Sequence, residues 1–273
     1  MLHIKFCSTI IIGMLVIFGC SHKELYQTEK TTTPVMISAN ESACQNKGYH
    51  WIWKGDEKCI RKNFSDYCKD RIRPNNITKI ISIIQNEFGN HDCQESYDSL
   101  KKATGLYLSH YEIQDISPLI NLVHLKILVL NNNMISNLEP LKTLKRLRVL
   151  RLDGNNINDI SALRNLHNLV VLRLDGNRIK DLSPLANLHQ LAQLNLNRNL
   201  ITDTSALATL KSLKKLGLKS NYIDNLTPLA NLHLEYLDVH ENPITQKKFQ
   251  KTEANCPQIL SINSSLKNIC EAK

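Results

Sequence analysis

The sequence predicts an α/β fold. It is a right-handed solenoid with parallel strands on its concave face, a 3₁₀ or irregular convex side, and a helical N-terminal cap. Three observations carry that expectation. A Leu-x-Leu core recurs at Leu106/Leu108, Leu128/Leu130, Leu150/Leu152, Leu172/Leu174, Leu194/Leu196 and Leu216/Leu218, always 22 residues apart, and then at Leu237/Val239 after 21. An asparagine follows three residues after the second core position, at Asn133, Asn155, Asn177, Asn199, Asn221 and Asn242, with an isoleucine two further on. All eight cysteines lie outside these copies. The Leu-x-Leu spacing has period two, so both leucines of a copy face one side of a short strand. One copy cannot bury that side alone, but stacked copies share a core.

The 273 residues are 42% hydrophobic, which excludes wholesale disorder. Residues 1–19 are expected to be a signal peptide. Lys5 and the amino terminus supply positive charge, and Phe6 to Gly19 carries none, a run too short to span a bilayer comfortably. It ends Ile17-Phe18-Gly19-Cys20, which resembles a bacterial lipobox. That resemblance implies lipidation of Cys20 and a membrane anchor without a spanning helix. Ser21 resembles the sorting signal that directs lipoproteins to the outer membrane, leaving the protein periplasmic or surface-exposed. Residues 20–43 form a polar tether. Residues 44–65 are expected to form a small cystine-stabilised hairpin in which Tyr49, Trp51 and Trp53 share one strand face. Those rings suit packing against the cap better than sugar stacking, since Trp usually serves cores or interfaces.

Residues 66–104 predict the cap. Ile77, Ile80, Ile81, Ile84 and Phe88 follow the apolar stripe of a helix, with Asn76 as its expected N-cap. Asp92 and Glu95 predict the start of a second helix in capping-box style, running to about Ala103. The repeats occupy 105–245 and a C-terminal cap 246–273. Setting aside Cys7 and Cys20, six cysteines remain: Cys44, Cys59, Cys68, Cys93, Cys256 and Cys270. An even count in an exported chain suggests disulfides, and proximity suggests 44–59, 68–93 and 256–270 among fifteen pairings. No C-x-x-C or H-x-x-x-H occurs, so zinc is not expected.

The recurring Asp-Ile-Ser-Pro-Leu phrase at 115–119, with the leucines and asparagines above, is the leucine-rich repeat pattern. It resembles the bacterial 22-residue class typified by internalins, over about half the chain. The resemblance implies that each asparagine lies inside and bonds neighbouring backbone as a ladder. It also implies a helical cap before the repeats and a protein partner.

Residues between the core leucines are expected to line the concave face. Three rows result. The first is Gly105, Ile127, Val149, Val171, Gln193, Lys215 and Tyr236. The second is Tyr107, Val129, Arg151, Arg173, Asn195, Gly217 and Asp238. The third is Ser109, Asn131, Asp153, Asp175, Asn197, Lys219 and His240. The candidate partner-binding patch is Val149, Arg151, Asp153, Val171, Arg173, Asp175, Gln193 and Asn195, at the supported centre of the array. The alternative is that Arg151/Asp153 and Arg173/Asp175 form only a solvated charge ladder.

Other chemistries find little support. The net charge of +9 spreads evenly, with +3 in each of 44–104, 105–245 and 246–273, so no basic stripe marks a nucleic-acid face. His167, His189 and His233 share one repeat position on the convex return. Asp-Gly-Asn at 153–155 and 175–177 lacks the further ligands of a calcium loop. No Gly-rich phosphate loop, G-x-S-x-G or H-E-x-x-H occurs. The expectation is a monomeric, non-enzymatic lipoprotein without a cofactor. It binds a protein partner, with surface recognition or adhesion as one form of that role. The alternative is an envelope-organising lipoprotein that binds another envelope component.

Overall fold

The computed structural model describes residues 51–54, 58–61, 64–69, 74–89 and 92–244. The expected signal peptide, Cys20, the expected tether, Cys44, Cys256, Cys270 and the expected C-terminal cap lie outside the described residues. So do the expected 44–59 and 256–270 disulfides. Strand β1 (Trp51–Lys54) pairs antiparallel with β2 (Lys58–Arg61), setting Trp53 opposite Cys59.

Among the described residues, three helices precede the repeats. The first, α1 (Phe64–Lys69), was not anticipated from the sequence because it is under two turns long. It is followed by α2 (Asn75–Glu87) and α3 (Cys93–Lys102). The four isoleucines of the α2 stripe are fully buried, as their spacing requires. The expected N-cap is corrected. Pro74, not Asn76, precedes the first turn, and its carbonyl accepts from Ile77 N at 3.0 Å and Thr78 N at 2.9 Å. Proline enters a helix with φ already set and no amide to satisfy. Asn76 therefore falls within the first turn and reaches the first repeat, its amide 3.4 Å from Asp115 Oδ2. Asp92 caps α3 as expected, accepting from Gln94 N at 2.8 Å and Glu95 N at 2.9 Å. The Cys68–Cys93 disulfide ties α1 to α3, with Cα atoms 5.6 Å apart.

Seven three-residue strands then form one parallel sheet in chain order. They are β3 (Gly105–Tyr107), β4 (Ile127–Val129), β5 (Val149–Arg151), β6 (Val171–Arg173), β7 (Gln193–Asn195), β8 (Lys215–Gly217) and β9 (Tyr236–Asp238). The register sets leucine beside leucine throughout, Leu106↔Leu128 to Leu216↔Leu237. The chain returns through 3₁₀ turns such as Ser117–Leu119 and Ser183–Leu185. An Asp or Asn two residues before each turn accepts the amide of its first residue, as Asp181 Oδ1 does from Ser183 N at 2.8 Å. Cap and repeats share one continuous apolar core.

The recurring asparagines hold the stack. Asn177 Nδ2 donates to Leu174 O of its own copy and Leu152 O of the copy before, both at 3.0 Å. Its Oδ1 accepts from Ile157 N of that preceding copy at 3.0 Å. Asn133, Asn155, Asn199, Asn221 and Asn242 repeat this pattern of donors and acceptor. In the first copy the equivalent residue is Tyr111, whose hydroxyl donates to Glu87 Oε1 of α2 at 2.8 Å. The stack thus joins the cap by side chain where the ladder begins.

A second recurrence was not read from the sequence. The residue before each ladder position lies in the left-handed region: His110, Asn132, Gly154, Gly176, Arg198, Ser220 and Glu241. Only two of the seven are glycine. Asp-Gly-Asn at 153–155 and 175–177 was the available signal, and it marks this turn.

Two stability predictions follow from this geometry. Asn177→Ala leaves the buried Ile157 amide without its acceptor and takes one of two amide donors from each of the Leu152 and Leu174 carbonyls, which keep Asn155 and Asn199, so it is expected to cost about 1–3 kcal/mol by denaturant titration. Asn242→Ala should cost less, because its site is part-exposed and water can replace the amide. Equal costs would count against burial as the source of the ladder's strength. Arg198→Gly relieves a left-handed non-glycine residue and should gain about 0.5–1 kcal/mol. A fall in its melting temperature would show that the arginine side chain contributes more than the strain costs.

Candidate functional site: the concave sheet

Because inward positions are filled by leucine, the alternating positions of β3–β9 must face outward on the concave side. The sheet aligns them as expected: Val149, Val171 and Gln193 form one row, and Arg151, Arg173 and Asn195 the next. Val129 is buried, while Tyr107 at one end and Tyr236 at the other stand more than half exposed.

The centre is a charge ladder. Arg151 Nε lies 3.6 Å from Asp153 Oδ1, and Arg173 Nε lies 3.6 Å from the same atom across the strand gap and 3.5 Å from Asp175 Oδ2. These are ion pairs too long for good hydrogen bonds. The carboxylates are sunk, with Asp153 14% and Asp175 7% exposed, whereas the arginines keep 38% and 34%. The ladder is therefore anchored at its acidic ends rather than freely solvated. The guanidinium groups make no hydrogen bond among the described residues, so their terminal nitrogens can meet a partner's acceptors. Burial pushes the Asp175 carboxyl above its usual range. Arg173 pulls it down less strongly, and Asp153 adds to the rise.

Gln193 and Asn195 belong to a different feature. With Asn197, Lys215, Gly217 and Tyr236 they line a hollow of about 280 Å³ over β7–β9. The hollow exists because Gly217 brings no side chain to its row. A Cβ there would overlap Asn195 Oδ1 and crowd Asn197 Oδ1, the two side-chain oxygens that lie over the glycine. The eight candidate residues thus split between a ladder and a hollow. Lys215, Gly217 and Tyr236 were placed in rows by the sequence but not in the candidate patch, since a glycine's missing volume shows only against its neighbours.

The convex histidines His167, His189 and His233 are exposed. Among the described residues, no group of three or more His, Cys, Asp or Glu is placed to hold a metal ion.

This architecture is a leucine-rich repeat solenoid, a class whose curvature creates an extended concave binding surface. The sequence-family model for Leucine Rich repeats (2 copies) matches residues 104–143 and 145–187. Among solved structures, the chain is similar to an internalin (inlF) from Listeria monocytogenes. Identity is 30% over 61% of this chain and 57% of that one, with a TM-score of 0.51. The chain therefore spans little more than half the length of that internalin. A leucine-rich repeat protein of Leptospira interrogans shares the fold at 24% identity and a TM-score of 0.51, over 60% of this chain and 50% of that one. No curated protein matches the chain.

The ladder has a pH signature. A raised folded pKa means the folded state binds the Asp175 proton more tightly than the unfolded chain does, so the charged form costs stability at neutral pH. That cost fades as pH falls through the folded pKa. Asp175→Asn should therefore hold or raise the melting temperature at pH 7, with the gain shrinking in acid. A marked loss at pH 7 would make the Arg173 pair the stronger effect.

Proposed function

We propose that the protein is a non-enzymatic, lipid-anchored lipoprotein that binds a protein partner through the concave face of its repeats. The observation that carries this reading is the division of labour along each strand. Leucines and asparagines are locked into core and ladder, while the alternating positions hold fixed rows in which tyrosine and arginine reach the surface and valine, asparagine and aspartate lie between them, part-buried or buried. Such a mixed rigid surface suits a protein better than a small molecule. The likeness to an internalin and the family match support the same use of the fold.

Anchoring through Cys20 at the outer membrane completes the proposal. Its support is the charge-free run that ends at a lipobox-like cysteine. Among the described residues no helix is long and apolar enough to cross a membrane. A partner outside the cell makes the protein a recognition or adhesion factor. A partner within the envelope makes it an organising lipoprotein.

Protease shaving of intact cells separates these roles, with a Cys20→Ala strain as control. Digestion of the wild-type protein is expected if it faces outward, and protection if it faces inward. Membrane association that persists in Cys20→Ala would sink the anchor. For the binding face, Arg151→Gln with Arg173→Gln should weaken a purified partner about tenfold or more without lowering the melting temperature much. Convex Arg164→Gln with Lys211→Gln should leave binding unchanged. Arginine-to-glutamate reversal is the poorer test, because it would set four carboxyl groups together in the ladder.

A further inference from the structure

We infer that the strand-entry edge of the first three copies docks on an anionic lipid surface, the headgroups of the membrane that holds the chain. The inference rests on the anchor proposed at Cys20 for the identity of that surface. Charge that is even along the chain is uneven around the solenoid, because a 22-residue repeat returns each position to the same edge. Residues 101–104, 123–126 and 145–148, which lead into β3, β4 and β5, hold six cations and no acid. Lys101 is held by α3, its ammonium 3.0 Å from Asp98 Oδ1. Lys102, Lys126, Lys145, Arg146 and Arg148 are exposed and make no ion pair among the described residues. The backbone fixes their spacing. Lys126 N donates to Thr104 O and Arg148 N to Lys126 O, each at 2.8 Å, so the row advances by one strand spacing per copy. Asn168 Nδ2 donates to Lys145 O at 2.7 Å and seats that loop against the next copy.

Acids collect on the opposite edge for a structural reason. Asp115, Asp159, Asp181 and Asp203 share the register position that accepts the first amide of a 3₁₀ turn, at 2.8 Å in all four. The turn needs an Asx oxygen there, and the entry edge has no such demand. Cations on the entry edge therefore face no acid of their own copies, and their fields add. They lie on successive copies along a line rather than around a concavity. A single phosphate would meet one or two of them, whereas a layer of headgroups meets all. Val123, 48% exposed, holds in its copy the position that Lys145 holds in the next. An apolar side chain among cations suits the boundary of headgroup and acyl chain better than a soluble polyanion. The 30 residues between Cys20 and Trp51 can reach no further than about 100 Å, which confines the edge to the neighbourhood of the leaflet. Because this edge lies at the strand ends, docking leaves the concave rows open to a partner.

Full-length Cys20→Ala protein carries no lipid at that position, so its vesicle affinity does not depend on the anchor. It is sedimented with vesicles of phosphatidylcholine, alone or with one-third phosphatidylglycerol. Affinity is expected to rise steeply with the anionic lipid and to fall with added salt. Lys126→Gln, Arg146→Gln and Arg148→Gln together should weaken it about a hundredfold, close to fivefold for each cation, with the melting temperature unchanged. Arg178→Gln, Lys180→Gln and Arg198→Gln remove as much charge from exposed sites beyond the strands and should leave most of the affinity. An equal loss in both sets would overturn the inference, leaving net charge as the cause. Equal affinity for neutral and anionic vesicles would overturn it too. So would stripping of the protein from anionic vesicles by polyglutamate or duplex DNA at matched charge concentration, which would make the edge a site for a soluble polyanion. The anchor is separated by a high-salt wash of Cys20→Ala cells. Protein released by the wash has lost its anchor and kept its edge. Protein that resists the wash is held in another way, and the anchor then fails while the vesicle result stands.

Discussion

The asparagine ladder is the interaction on which the rest depends. Strands of three residues cannot satisfy the backbone of a 22-residue turn, and the chain bends sharply at both ends of each strand. Carbonyls of Leu130, Leu152, Leu174, Leu196 and Leu218 would be left buried at that bend. Each instead receives side-chain amide hydrogens from its own copy and from the next. Only a planar amide carries two donors and an acceptor in so small a volume. An aspartate would set a carboxylate against carbonyls, and a leucine would leave the preceding copy's amide unpaired and take a donor from each of two carbonyls. The ladder also makes each copy depend on its neighbour, which is how short strands become one cooperative sheet.

The ladder creates an end problem, and the N-terminal cap answers it. At the first copy the asparagine gives way to Tyr111, which turns toward α2. Lys79 pairs with Glu112 at 2.7 Å, and His124 Nε2 lies 2.9 Å from Leu100 O. The four isoleucines of α2 close the leucine core. The Cys68–Cys93 disulfide fastens short helices that have too little apolar area of their own, and it does so largely by restricting the unfolded chain. The left-handed position before each ladder residue is the remaining structural demand. Five of its seven occupants are not glycine, so the repeat accepts strain there while gaining side chains along the edge of the concave face.

With the frame held in this way, the outward rows are free to carry chemistry. Their two halves are built differently. Over β5 and β6 each side chain fills its place, and charges interlock at distances set by strand spacing. Over β7–β9 a glycine leaves a gap that neighbouring amides partly roof. Affinity in such surfaces comes from a few anchored contacts rather than area.

The sequence by itself determined the solenoid, the strand register, the apolar stripe of α2, the Asp92 cap and the rows of the concave face. Each is a local or strictly periodic signal: Leu-x-Leu alternation, one asparagine per turn, or isoleucines spaced for a helix. Pairing of Cys68 with Cys93 was suggested by proximity, and the fold brings the two together. Other features needed the third dimension. Pro74 displaced Asn76 as the start of α2 because proline enters a helix with φ preset and its carbonyl takes the first-turn amides, which leaves Asn76 inside the turn and beside Asp115. Arg173 proved to serve Asp153 as well as Asp175, since strand spacing places two carboxylates within reach of one guanidinium. The split of the candidate patch between ladder and hollow rests on what Gly217 lacks. A chain records which residue is present, and only packing shows that Asn195 and Asn197 lean over the place where Gly217 brings no side chain.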